Sequence, residues 1–381
     1  MGETGGVEQK KTTICVLIMF TNEEHCILES LTTTLPYANE YILLDNASTD
    51  NTVKVCNDFF KQNNVKGQIF NAVWKNFGHN YSLLYELGYK YATSEYLYQV
   101  DADDRLFGNM DITNLWADKY LLQFGDTMKY VRPQLFKNNR LWTHRLAVHG
   151  YVDTVPKYQP VTSRILEGDY YIECRHIGNR HKVDSNTKFL NDAKMLEDDL
   201  KTDLDKPDQR RCWFYLGQSY YAAEEYHKSI KAYQKRIYMG GWEEEVYYSR
   251  LQIARCYKKL NNQQYIKCYL TCFEKHPNRA EPLYELGVTY FDKGDYKTAK
   301  RYLKQASTIP YPAHLNLFLS KDVYDYKCQI NLATCYYYLR KYNKSYAINK
   351  TLLSKSLPAD VRKHVEDNHI FDTRHTIHQI D

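Results

Sequence analysis

The chain has 381 residues, a length that predicts two or three domains, each large enough to bury its own core. With 43% hydrophobic and 25% charged residues its composition is globular, which excludes wholesale disorder and a collagen-like or coiled-coil rod. The formal net charge of +5 comes from interleaved acidic and basic residues with no polybasic tail, so no nucleic-acid partner is expected.

From Thr13 to about Leu106, short apolar runs alternate with longer amphipathic stretches. That pattern predicts strands joined by crossover helices in a mainly parallel sheet. Strands are expected at Thr13–Phe20, Tyr41–Leu44, Gln68–Val73 and Tyr96–Val100, with helices at about Glu23–Thr33, Val53–Phe60 and Asn80–Tyr91. Ser48 and Asp50 carry side-chain oxygens suited to capping the second helix, and Asn80 to capping the third. Residues 107–206 read as mixed, with strands at Lys129–Phe136, Ala147–Asp153 and Asp169–His176 and a charged helix at Asn186–Asp203.

From about Pro207 strand-like runs vanish. Trp213-x2-Leu216-Gly217-x2-Tyr220 matches the first-helix signature of a tetratricopeptide repeat. The phase recurs at Ala254 and Tyr257, Gly287 and Tyr290, and Ala333 and Tyr336, so the tyrosines lie 37, 33 and 46 residues apart, the long interval holding Pro310 and Pro312. The small residue lets paired helices approach while Leu and Tyr fill the space between repeats. Four helical repeats are expected over 207–355, then a tail over 356–381 with no polar capping helix, which makes a homo-oligomer through the last repeat an expected assembly. No run approaches a membrane span, and Met1 to Lys11 has no apolar signal-peptide core, so a soluble, cytoplasmic protein is expected. The ten cysteines, with no CxxC pair, read as reduced thiols.

Ligands of open α/β sheets bind outside the carboxyl ends of the strands. The second strand ends there in Asp45-Asn46-Ala47-Ser48-Thr49-Asp50 and the fourth in Asp101-Ala102-Asp103-Asp104. Three carboxylates in four residues repel one another unless a cation or donors lie between them. A hard divalent ion held by few carboxylates and completed by substrate phosphates suits such a site.

With Met19-Phe20-Thr21-Asn22-Glu23-Glu24 closing the first strand, followed by the Asp45 to Thr52 segment and Asp101-Ala102-Asp103, the N-terminal half resembles a family 2 glycosyltransferase of the GT-A fold. Some members of that family carry tetratricopeptide repeats C-terminally. The resemblance covers about the first 105 residues and extends more faintly through Arg180; the expected organisation is a flexible segment 1–12, a GT-A domain over 13–185 and a connecting helix 186–206 before the repeats. It implies that Phe20, Thr21 and Glu23 line the base and ribose of a nucleotide-sugar, expected to be a UDP-sugar, and that Asp45 contacts the base. Asp101 would hold the ribose or a metal-bound water, and Asp103 would bind the Mn²⁺ or Mg²⁺ bridging the diphosphate.

The family often has Arg-Asn where this chain has His79-Asn80, leaving His79 in the place of a phosphate-binding guanidinium. Transfer with inversion needs a base opposite the diphosphate, and the candidates are Asp104, Asp169, Glu173 and His149. The family's Trp-to-His-Glu element corresponds to Trp142 through His149, but Gly150 stands where Glu is common. His149 is also a candidate metal ligand, and Arg180, in Arg175-His176-Ile177-Gly178-Asn179-Arg180, a candidate partner of the diphosphate. The expected activity is hexosyl transfer to a hydroxyl of a glycan or protein acceptor. Two alternatives remain open. One is a repeat scaffold with an inactive transferase domain. The other is nucleotidyl transfer, which usually brings a glycine-rich basic loop that Phe20 to Glu24 is not.

Overall fold

The structure, a computed structural model, describes residues 11–126 and 129–377, the side chains of 180, 181 and 375–377 excepted. It divides into two compact units, residues 1–212 and 213–381.

In the first unit β1 (Ile14–Phe20) is apolar throughout and every residue of it is buried, as a central strand covered on both faces requires. Ile14, Val16 and Ile18 pack with Tyr41 and Phe59 in one core layer, while Cys15 and Leu17 join Leu84, Tyr85 and Trp142 in the other. Successive side chains of a strand point to opposite faces, so one apolar run serves both layers. β1 pairs in parallel with β2 (Glu40–Asp45) on one side and β4 (Tyr96–Asp101) on the other, and β3 (Lys66–Asn71) flanks β2. The crossover helices are α1 (Ile27–Thr34), α2 (Thr52–Gln62) and α3 (Phe77–Tyr91).

The chain continues through β5 (Asp104–Met110), β6 (Lys119–Phe124), β7 (Tyr130–Lys137), β8 (Trp142–Arg145) in a hairpin with β9 (Tyr151–Thr154), β10 (Ser163–Ile165) and β11 (Gly168–Cys174). The order is β3-β2-β1-β4-β7-β6-β11-β5 with β10 on β6, nine strands in all, and β8–β9 stands apart. This is the mainly parallel α/β sheet that the sequence predicts. β5, β6, β8 and β10 are additions to the expected strands. The strand expected over Ala147–Asp153 is shorter, because Leu146 and His149 take positive φ values of 68° and 53° and turn the chain before β9. Asn76, not Asn80, caps α3 by accepting from the His79 amide at 2.8 Å. α4 (Ser185–Asp199) follows β11.

The second unit is helical, as expected. Its helices pair as α5 (Lys206–Ala222) with α6 (Tyr226–Tyr238), α7 (Glu243–Lys259) with α8 (Gln264–Lys275), α9 (Glu281–Asp292) with α10 (Tyr296–Ala306), and α11 (Cys328–Tyr338) with α12 (Tyr342–Leu353). The small residues sit where helices touch. A Cβ on Gly217 would come 2.7 Å from the Tyr233 ring, and one on Gly287 would come 2.7 Å from Leu303. Some of its tyrosine hydroxyls find carboxylates: Tyr324 donates to Glu281 at 2.7 Å and Tyr269 to Glu285 at 2.7 Å. Where a tail is expected, the structure has a further helix, α13 (Ala359–Ile377). Val365 on it and Leu352 on α12 are both fully buried, and Asn349 donates to Asp372 at 2.8 Å. The ten cysteines are free. Among the described residues no helix is long and apolar enough to cross a membrane.

Candidate active site

β1 lies between β2 and β4, so crossovers leave it in opposite directions and the sheet order reverses there. A crevice opens at such a switch point. Met19 lies in register with Asp101 and Phe20 with Asp45, and the crevice is a cleft of about 680 Å³, within the range usual for small-molecule sites.

Phe20, Thr21, Glu23, Asp101, Asp103 and His149 all line this cleft. The other candidates stand elsewhere. Asp45 is buried and accepts from the Ser48 amide at 2.9 Å, tightening its own loop, and its neighbour Asn46 takes the place on the wall. His79 is exposed on the first turn of α3 and does not line the cleft. Asp104 is 3% exposed. Asp169 and Glu173 lie on β11 opposite Asn109 and Arg105 of β5, away from the lining. The Arg180 side chain falls outside the described residues.

Asp101 is held from two sides. Its Oδ1 accepts from the Tyr81 hydroxyl at 2.6 Å, and its Oδ2 lies 3.8 Å from Arg132. Burial opposes the Arg132 charge, but Asp101 and Asp104 hold the guanidinium above its usual range. Burial, and then the Asp101 charge, push the Asp104 carboxyl well above the carboxylate range, with Cys174 as its hydrogen-bond partner. Asp104 therefore sits behind the wall, where burial and Asp101 disfavour its charged form.

Asp103 is held differently. Its Oδ2 accepts from the amides of Ile177 and Gly178 at 3.1 and 3.0 Å, while Oδ1 has no hydrogen-bond partner among the described residues. Glu23 Oε1 accepts from the Asn179 amide at 2.8 Å and Oε2 from the Cys26 thiol at 3.2 Å. Burial raises the Glu23 carboxyl.

Among the described residues, the side chains that gather as a metal-ligand trio are Glu23, His25 and Cys26, not Asp101, Asp103 and His149. In that trio burial and Glu23 push the Cys26 thiol up, and the thiol donates to Glu23 Oε2. Asp101 is committed to Tyr81 and Arg132. The open Oδ1 of Asp103 fits a cation that takes one carboxylate and completes its shell with phosphates and water.

His149 is turned into the cleft by its positive φ, and its carbonyl accepts from Arg211 at 2.7 Å. Its Nε2 lies 3.8 Å from Asp192 Oδ2 of α4, a carboxylate only 2% exposed. His144 stacks on Tyr81 with ring centroids 5.3 Å apart, and burial lowers its pKa to about 4, so it is neutral. A Cβ on Gly150 would run into the Arg145 carbonyl and come 2.7 Å from His144 Nδ1, so the turn as built leaves no room for a side chain there. Trp74 is 40% exposed on the cleft wall, whereas Trp142 is 1% exposed in the core and donates to the Lys137 carbonyl.

Sequence reasoning missed Asn46, Tyr81, Arg132, His144 and Asp192. Asn46 adjoins Asp45 and Tyr81 follows Asn80, so local inspection reaches them. Arg132 and Asp192 come from β7 and α4, outside any motif.

Residues 15–118 match glycosyl transferase family 2, and residues 283–312 match a tetratricopeptide repeat. No curated protein matches the chain. Among solved structures, the chain is similar to S. aureus TarS 1-349, crystallised in complex with UDP-GlcNAc, at 13% identity and a TM-score of 0.37, over 70% of this chain and 91% of that one. It is also similar to MamA at 13% identity and a TM-score of 0.34, over 46% of this chain and 94% of that one. For BtubC from P. vanneervenii the values are 17% and 0.33, over 50% and 74%.

Proposed function

Because the chain carries a family 2 glycosyltransferase domain and tetratricopeptide repeats, we propose that it transfers a hexosyl unit from a UDP-sugar to a hydroxyl of a glycan or protein, with Mn²⁺ or Mg²⁺ bound at Asp103. The observation that carries this reading is the placement of Asp101 and Asp103 at the carboxyl end of β4, in one cleft with Phe20, Thr21 and Trp74. When bound, the cation neutralises charge on the leaving diphosphate. Asp101, fixed by Tyr81 and Arg132, accepts from the ribose hydroxyls. Trp74 offers an aromatic face to the base or sugar.

Of the four general-base candidates, His149 is the one on the cleft wall. It takes the acceptor proton as the hydroxyl oxygen attacks the anomeric carbon from the face opposite the diphosphate, and Asp192 stabilises the resulting imidazolium. The repeats present the acceptor; α13, packed on α12 through Val365 and Asp372, removes the uncapped last repeat on which the expected homo-oligomer rests.

Thermal unfolding with UDP, GDP, ADP and CMP, each with and without Mn²⁺ or Mg²⁺, tests the reading, since a ligand of the folded state raises apparent stability. A shift with UDP only in the presence of metal is expected. No shift with any pair favours the inactive scaffold, a reading that Gly150 supports by standing where the family commonly has Glu.

A further inference from the structure

The segment Arg175 to Asn179 lies across the acidic turn and is tied to it by main-chain groups. Beyond the bonds to Asp103 and Glu23 described above, Arg175 Nε donates to the Asp103 carbonyl at 2.9 Å. His25 Nε2 donates to the Ile177 carbonyl at 3.0 Å. The consecutive amides of 177, 178 and 179 thus divide between two carboxylates, two to Asp103 and one to Glu23.

The segment approaches this closely because residue 178 has no side chain. Gly178 is buried, and a Cβ built on it would lie 3.2 Å from both Asp103 Oδ2 and Glu23 Oε1, tighter than ordinary van der Waals contact. Its φ of −59° is one that any L-residue adopts, so its glycine character answers to space and not to backbone conformation.

We infer that Gly178 is a positioning residue: its amide and its missing side chain fix Asp103 with Oδ2 turned to the segment and Oδ1 presented to the cation. The inference rests on the proposed cation site at Asp103. A carboxylate with one oxygen saturated by two amide donors has lost its freedom to rotate, so the remaining oxygen is already aimed before the cation arrives. Alanine at 178 keeps the amide but pushes both carboxylates away by a few tenths of an ångström.

The test is Mn²⁺ titration followed by electron paramagnetic resonance in the presence of UDP, on the full chain and on Gly178→Ala. Mn²⁺ affinity is expected to fall about tenfold in the variant, the scale on which lost outer partners weaken metal sites, with the metal-free unfolding midpoint unchanged. Equal affinity in the two proteins overturns the inference while leaving the cation site standing. Absence of Mn²⁺ binding in the unaltered chain overturns the cation site itself. A second measurement needs no metal and no substitution at 178: amide hydrogen exchange. Protection at 177 and 178 is expected to disappear in Asp103→Ala, and protection at 179 in Glu23→Ala. Free-peptide exchange at these amides in the unaltered chain overturns the inference.

Discussion

Tyr81 donates its hydroxyl proton to Asp101 Oδ1 across 2.6 Å, joining the buried face of α3 to the last residue of β4. Burial, and then the Asp101 charge, raise the tyrosine pKa far above its ordinary value, so the donor stays protonated throughout the physiological range. Tyr81→Phe removes the donor without opening a cavity. The variant is expected to lose about 1.5–3 kcal/mol in urea unfolding, the usual value of a hydrogen bond to a charged group, and to bind UDP more weakly. Unchanged stability and binding would detach Tyr81 from the site.

Asp103→Asn keeps the shape of the side chain and an oxygen for the amides of Ile177 and Gly178 but removes the charge. The expected result is a normally folded protein in which Mn²⁺ no longer adds to the thermal shift given by UDP. A metal-dependent shift equal to that of the unaltered chain would remove Asp103 from the cation site.

His144 links stability to pH. Its folded pKa, lowered by burial to about 4, lies below the value near 6.5 of an unfolded histidine. Below about pH 6.5 the unfolded chain binds a proton that the folded chain refuses, so the stability due to the neutral ring is complete above that pH and is lost as the pH falls toward 4. The loss is on the order of 2–3 kcal/mol. His144→Phe, which retains the stack on Tyr81, is expected to flatten this part of the curve of stability against pH. A parallel curve would assign the acid loss to other groups.

Gly150 has no room for a side chain beside the Arg145 carbonyl and His144. Gly150→Ala is expected to destabilise by about 1–3 kcal/mol, the range for overpacking, and Gly150→Glu by more. A urea midpoint unchanged by alanine would show that the turn between β8 and β9 relaxes without cost.

The stable transferase fragment is expected to end at Cys212 rather than Asp205. Asp208 is 1% exposed and accepts from Arg145 Nε at 2.8 Å and from the Tyr151 hydroxyl at 2.9 Å. Removing it takes away the partner of the Tyr151 hydroxyl and one of the two carboxylates of Arg145, which keeps Asp205 at 2.9 Å, and is expected to cost about 1–2 kcal/mol. Thermal unfolding of the two fragments decides, with equal midpoints counting against a structural role for Asp208.

Features that depend on neighbouring residues were legible in the sequence by itself. The unbroken apolar run of β1, the acids closing β4 and the recurring small-residue and tyrosine phase of the repeats each follow from local period, and they led to the α/β sheet and the helical array. Helix α13 escaped that reading because much of its interface is polar: Arg362 donates to the Leu353 and Lys355 carbonyls, His369 stacks on Tyr346 and Asp372 accepts from Asn349, while Val365 is its one fully buried apolar side chain among the described residues, so no apolar stripe announces it. The tertiary structure alone decided how the acids are used. Asp101 meets Tyr81 from α3 and Arg132 from β7, Asp103 meets the amides of Ile177 and Gly178, and His149 meets Asp192 from α4. Asp104, adjacent in sequence to Asp103, is turned into the wall beside Cys174 by the pleat of β5. Whether a carboxylate is open, paired or buried depends on what packing brings to it from distant parts of the chain, and spacing along the chain carries no record of that.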